Sequence, residues 1–204
     1  MGSMQTPEEK IIEVARRLFV ENGYHKTNMS AIAAAAGINR PTLHYYYRTK
    51  EKMFQAVFGS LVTSFLPRIQ LIFCEETPFM EKIEKVIDAY MHIFCENPAL
   101  PRFILDEARR DMPHLIYTIQ SLHLEGYMED VLDVIRKEME AGHIRTVPVS
   151  VLFVTFYSQL VFPFLSKPII LSVFYHQEED FLRFLADWKL NFLRQIRCLL
   201  DICE

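Results

Sequence analysis

The sequence predicts an all-α fold. Apolar residues recur at i, i+3, i+4 spacing along nearly the whole chain, and the prolines and glycines fall between those runs. The runs are also too long, and too rich in Leu, Ile, Phe and Met at helical spacing, to be strands. With 204 residues, 50% of them hydrophobic and 24% charged, the chain can bury a real core and divide into one or two compact domains.

The first helix carries Ile12, Ala15, Leu18 and Phe19 on one face, and Gly23 supplies the positive-φ position that stops it. A second, short helix follows Thr27-Asn28 and runs to about Ala36, where Gly37 ends it. A third opens with Pro41 at its first position, where a missing N–H leaves no bond unmade. A longer fourth helix spans Lys50 to about Leu66, just before Pro67. Later starts are marked by Thr77-Pro78, Asn97-Pro98, Pro113, and Thr146 with Pro148. The last helix begins near Gln177, sets Glu178, Glu179 and Asp180 on its positive dipole end, and continues to about Cys203. No internal repeat or low-complexity linker interrupts the series. The reading places an N-terminal domain at 4–50 and a helical body at 51–204, joined rigidly through the fourth helix.

The net charge of −4 conceals a division. Residues 1–58 hold eight basic and five acidic groups, a balance of +3, whereas the remainder holds 14 basic and 21 acidic, a balance of −7. A basic N-terminal unit on an acidic body suits a protein that meets a polyanion at one end only. Four irregularly spaced cysteines and a start without an apolar leader segment favour a reducing, cytoplasmic setting.

The informative stretch is 27–54, TNMSAIAAAAGINRPTLHYYYRTKEKMF. Ile32, Ala33 and Ala36 form a narrow apolar face, Gly37 turns the chain, and Ile38 and Leu43 close a small core. Two short helices about such a turn make a helix-turn-helix, whose second helix fits a major groove about 12 Å wide. That helix would expose Asn39, Arg40, Pro41, Thr42, His44 and Tyr45.

The segment resembles the DNA-binding domain of the TetR family of bacterial transcriptional regulators. The likeness covers residues 10–58, through Phe19, Gly23-Tyr24, Thr27, Ile32-Ala33, Ala36-Gly37-Ile38, Thr42-Leu43, Tyr46-Tyr47 and Thr49-Lys50-Glu51. It implies phosphate contacts from Thr27 or Asn28, from Tyr46 and from Lys50, and base contacts mainly from Arg40, Pro41, Thr42, His44 and Tyr45. His44 stands where the family usually has Tyr, Pro41 replaces a commoner small residue, and Tyr47 replaces Phe and belongs to the core.

In the C-terminal body, 146–166 has no charged side chain, so a membrane-associated protein anchored by residues 146–175 is the rival reading. Ser150, Thr155, Ser158, Gln159, Pro163 and Ser166 interrupt that run, and a buried soluble helix explains it better. A wide apolar face on the last helix exceeds what one core contact consumes. Phe156, Leu160, Phe181, Leu185, Trp188, Phe192 and Ile196 are therefore expected to meet a second copy in a four-helix, two-fold interface, as the resemblance also implies. Tyr90, Phe94, Phe103, Tyr117, His123, Tyr127, Phe153 and Tyr157 are the candidates for a site binding a hydrophobic or aromatic small molecule, the inducer site that the resemblance implies. His92 and Cys95 share a helix face but lack further ligands at matching spacing, so neither a metal nor a cofactor is expected. There is no phosphate loop, nucleophile elbow or paired-His zinc motif, which argues against an enzyme; an enzyme or carrier that keeps the helix-turn-helix only as packing is a third reading. The expected protein is a dimeric regulator, by resemblance a repressor, released from a palindromic operator by a small molecule.

Overall fold

The computed structural model describes residues 6–63, 65–175 and 177–201, and in them the regular secondary structure is entirely helical. The helices in chain order are α1 (Pro7–Lys26), α2 (Met29–Ala36), α3 (Arg40–Tyr46), α4 (Lys50–Thr63), α5 (Leu66–Cys74) and α6 (Phe79–Glu96). They continue with α7 (Leu100–Arg110), α8 (Met112–Ser121), α9 (Glu125–Glu140), α10 (Val149–Leu165), α11 (Lys167–Val173) and α12 (Glu178–Leu200). Contacts gather the chain into two units, one of Met1–Ser64 with Arg102–Glu125, the other of Phe65–Pro101 with Gly126–Glu204. The segment 102–125 thus packs with the N-terminal helices, although it follows them by some forty residues.

In the first unit the helix limits follow from local chemistry. A reciprocal box opens α1: Thr6 Oγ1 accepts the Glu9 N–H at 3.2 Å, and Glu9 Oε2 accepts the Thr6 N–H at 2.7 Å. Gly23, at φ +76°, breaks the helix one turn before its end, and Gly37, at φ +70°, caps α2. Arg40 is the first residue of α3, so Pro41 falls second, still within the turn that needs no intrahelical donor. Ile11, Ala15 and Phe19 of α1 are buried with Ile32, Ala33 and Ala36 of α2, Leu43 of α3 and Phe54 of α4. The Phe19 and Phe54 rings meet edge-on at 5.3 Å. Pro67 does not follow the fourth helix as the sequence suggested. It lies in the first turn of α5, and α4 stops earlier, at Thr63.

The second unit is built on α6, α10 and α12, which pack against one another. Phe156 lies 5.3 Å from Phe192, Phe94 5.3 Å from Phe164, and Phe164 5.8 Å from Phe181. Lys189 of α12 bridges Glu84 at 3.0 Å and Asp88 at 2.7 Å on α6. Pro163 inside α10 has no N–H for the carbonyl four residues back, that of Gln159. The Trp188 indole N–H of α12 donates to that carbonyl at 2.9 Å, so the bond that the proline removes is remade between helices.

This packing corrects the expected dimer surface. Phe156, Leu160, Phe181, Leu185, Phe192 and Ile196 are buried in the chain's own core, whereas Trp188 is half-buried and keeps free surface, with its indole N–H on the Gln159 carbonyl. Side chains without free surface cannot form an interface. The apolar residues left exposed on α10 and α12 are their neighbours, among them Val154, Phe162, Leu182 and Leu190. By length and composition alone, Lys50–Cys74 and the pair Val149–Leu165 with Lys167–Val173 are apolar enough to cross a membrane. That pair is bent by 61°, and α10 spends its buried face on α6 and α12, so the uncharged run serves the core.

Trp188→Phe should destabilise the protein by about 1–3 kcal/mol in urea unfolding followed by circular dichroism, because it orphans the Gln159 carbonyl. Pro163→Ala in the same chain should recover part of that loss, since the substituted residue regains a backbone N–H. A purely additive double-mutant cycle would refute the exchange of donors.

Candidate nucleic-acid interface

The recognition candidates sit on a helix with a defined start. Asn39 Oδ1 accepts the Thr42 N–H at 2.8 Å and the Thr42 hydroxyl at 2.7 Å, which fixes the first turn of α3. Arg40, Pro41, Thr42, His44 and Tyr45 are all exposed on it. Tyr45 is 84% exposed and stands edge-on to Tyr46 at 5.5 Å, an apolar surface with little to cover it within the chain. Asn28 is exposed and caps α2, its Oδ1 accepting the Ala31 N–H at 2.9 Å. α3 therefore presents a cation, an imidazole, a hydroxyl and aromatic surface together, the mixture needed to read base edges and touch a thymine methyl.

Thr27 leaves the list of contacts. It is 3% exposed, and its hydroxyl is turned to the carbonyls of Gly23 at 2.9 Å and Leu18 at 3.0 Å, closing the broken end of α1. Lys50 is half-buried: its ammonium donates to the His25 carbonyl at 3.2 Å and lies 4.3 Å over the Tyr24 ring. Burial pulls its pKa down, and the nearby Glu107 carboxylate offsets part of that. Tyr47 packs in the core, its hydroxyl donating to Glu8 at 2.9 Å, and burial with that bond holds its phenol well above the usual value.

Beneath this surface α7 and α8 clamp the end of α1 and the start of α4. The Glu107 carboxylate, 2% exposed, accepts the Tyr24 backbone N–H at 3.0 Å and the Arg110 guanidinium at 2.8 Å. Arg110 lies so close to Gly23 that a Cβ built there would stand 2.2 Å from its Nη1. Glu51 Oε2 accepts the Tyr24 hydroxyl at 3.1 Å and meets His114 Nε2 at 2.7 Å, while its other oxygen accepts Gln55 at 3.0 Å. The rings of Tyr24, His114 and Phe54 close over one another, with centroids 4.7 to 5.2 Å apart. Burial, then the bond to Glu51, pushes the Tyr24 phenol from 10.0 up to about 12. Sequence reasoning missed Glu107, Arg110 and His114. The signal available was weak: an acidic and a basic residue at i, i+3 and a His after a proline.

The candidates for a small-molecule site divide between the units. Phe103, Tyr117 and His123 belong to the first, Phe103 buried at 6.0 Å from Phe54 and the other two exposed. His123 has φ +54°, a strained left-handed backbone conformation at the end of α8. Tyr90, Phe94, Tyr127, Phe153 and Tyr157 belong to the second. There Tyr90 and Tyr157 share a hydrogen bond of 2.9 Å, Tyr90 lies 5.9 Å from Phe94, and Phe153 lies 4.7 Å from Tyr157. A groove along α1, lined by Thr6, Glu8, Glu9, Ile12, Glu13, Arg16 and Ser60, is open and carries three carboxylates beside one guanidinium, unsuited to an apolar ligand. Among the described residues no three His, Cys, Asp or Glu side chains converge as a metal site would require.

Comparison with known proteins matches these features. The family described as bacterial regulatory proteins, tetR family, matches residues 11–57. A fatty acid metabolism regulator protein of Bacillus subtilis is 26% identical over 67% of this chain and 70% of its own length. Among solved structures, a TetR family transcription regulator from Marinobacter aquaeolei superposes with a TM-score of 0.75 at 19% identity, covering 96% of each chain. The transcriptional regulator FadR from Bacillus subtilis, solved in complex with stearoyl-CoA, does so with a TM-score of 0.70 at 20% identity, covering 93% of this chain and 97% of that one. Both extend the likeness in fold across the two units.

Gly23→Ala should cost about 1–2 kcal/mol for the left-handed backbone alone, and more from the clash with Arg110. Adding Arg110→Ala should relieve only the second part, as urea unfolding will show. Alkaline unfolding carries a further signature. The folded state holds the Tyr24 proton after an unfolded phenol, with its pKa of 10.0, would release it, so stability is complete below about pH 10 and falls as pH rises towards 12. Tyr24→Phe should flatten that slope.

Proposed function

We propose that the chain is a transcriptional regulator of the TetR family, not an enzyme, that it binds a two-fold-symmetric operator as a homodimer, and that it releases the operator when a fatty acyl-CoA enters its second unit. The observation that carries the DNA reading is the outer face of α3: Arg40, Thr42, His44 and Tyr45 are exposed on a helix that its own cap and buried Leu43 hold rigid. Arg40, Thr42, His44 and Tyr45 read bases, with Pro41 and Asn39 shaping the helix start. Asn28, Tyr46 and Lys50 meet phosphates. Two copies would place their α3 helices in successive major grooves about 34 Å apart.

The acyl ligand is supported by the relatives, one named for fatty acid metabolism and one solved with stearoyl-CoA. Tyr90, Phe94, Phe153 and Tyr157 are the residues assigned to it. The second copy is assigned to the exposed apolar residues of α10 and α12, with Val154, Phe162, Leu182 and Leu190 at its centre. The chain passes between its units at residues 64–65, 101–102 and 125–126, so a shift in the second unit reaches the first through α4, α7 and the start of α9. Glu107, Arg110 and His114 then pass it to Tyr24 and Glu51. A coupling of about 1–3 kcal/mol would change operator affinity roughly 5- to 150-fold, and operator DNA must weaken ligand binding by the same factor. The protein is assigned to the cytoplasm, where the operator lies.

Gel shifts against the DNA upstream of its own gene should show salt-sensitive binding that stearoyl-CoA reverses. Arg40→Ala should relax the preference at one base pair by about 1–3 kcal/mol, whereas Lys50→Ala should weaken all sequences alike and flatten the salt slope. Binding that ignores salt, or an Arg40→Ala protein with unchanged preference, would overturn these assignments.

A further inference from the structure

The second unit holds a polar pair inside an aromatic nest. Tyr90 of α6 is 6% exposed and ringed by Phe65, Phe94 and Phe156 at 5.5 to 6.5 Å. Its hydroxyl lies 2.9 Å from that of Tyr157 on α10. Two phenols joined by one hydrogen bond own two protons but use only one. Whichever hydroxyl donates, the other keeps a proton that meets no acceptor among the described residues. Two phenylalanines would fill the same space without leaving a donor unmatched.

We propose that the Tyr90–Tyr157 pair is the polar anchor of the ligand site, donating its uncommitted proton to an uncharged carbonyl oxygen on an otherwise apolar acyl chain. Burial raises both phenols above their ordinary value, so the pair remains neutral and able to donate at physiological pH. The rings that touch it are aromatic hydrocarbon, with no cation among them to neutralise a carboxylate. A thioester carbonyl therefore suits the pair better than the charged head of a free fatty acid. Access is short: Phe153, against Tyr157 at 4.7 Å, is itself exposed to solvent on α10. The inference rests on the reading of the chain as an acyl-responsive regulator and specifies the group by which it would tell an acyl-CoA from the corresponding acid.

The test is the full-length double variant Tyr90→Phe with Tyr157→Phe, compared with wild type in two measurements. In thermal unfolding without ligand it should be as stable as wild type or more so, because both hydroxyls leave and the rings remain. A clear fall in Tm would mean that the pair is a structural bond and would overturn the proposal. In operator release, the variant should need about tenfold more stearoyl-CoA than wild type, while stearate should be the weaker effector of wild type. An unchanged stearoyl-CoA response would also overturn it. If wild type itself ignores stearoyl-CoA, the acyl reading of the function fails, and the unfolding arm still decides whether the pair is structural.

Discussion

A carboxylate buried to 2% exposure is the point on which the first unit turns. Taking Glu107 out of water costs several kcal/mol unless donors replace the solvent. One replacement is the Arg110 guanidinium, three residues on in the same helix; the other is the Tyr24 backbone N–H. That N–H is available only because Gly23 breaks α1, since in a continuous helix it would bond the carbonyl four residues back. The same glycine, lacking a Cβ, leaves the space that Arg110 fills. End of helix, free donor and docking space therefore come from one residue, and α7, α8 and the start of α4 are placed by it. α3 is only seven residues long and packs on α2, which in turn packs on α1.

What could be read from the sequence was whatever local chemistry determines. The glycines at 23 and 37 do carry positive φ, and Asn28 does cap α2, because caps and turns need only residues a few positions apart. Features that depend on distant partners were not legible. Thr27 reads as an outward hydroxyl at a helix start, yet it serves the helix before it. The stripe on α12 has the same pattern whether its own chain or a second copy covers it, and periodicity cannot choose between them. Pro67 looks like a stop and is a start, since either role leaves its missing N–H without consequence.

The aromatic residues show the same limit in a sharper form. Phe103, Tyr117 and His123 were grouped with Tyr90 and Tyr157 because all are amphipathic or aromatic and all follow the helix-turn-helix. The fold sends residues 102–125 back to the N-terminal helices, so these three lie in the other unit, where Phe103 enters the core and Tyr117 and His123 stay exposed. Composition lists the rings that are available; only the path of the chain decides which of them meet.

Trp188 is the only tryptophan in the chain, and it sits at the α10–α12 contact, its indole N–H on the Gln159 carbonyl and its ring stacked 6.0 Å from Phe184. Emission from an indole depends on its hydrogen bonding and on the polarity around it. The protein thus carries its own optical gauge of the second unit: any slide between these two helices would change its fluorescence, with no label attached and no residue replaced.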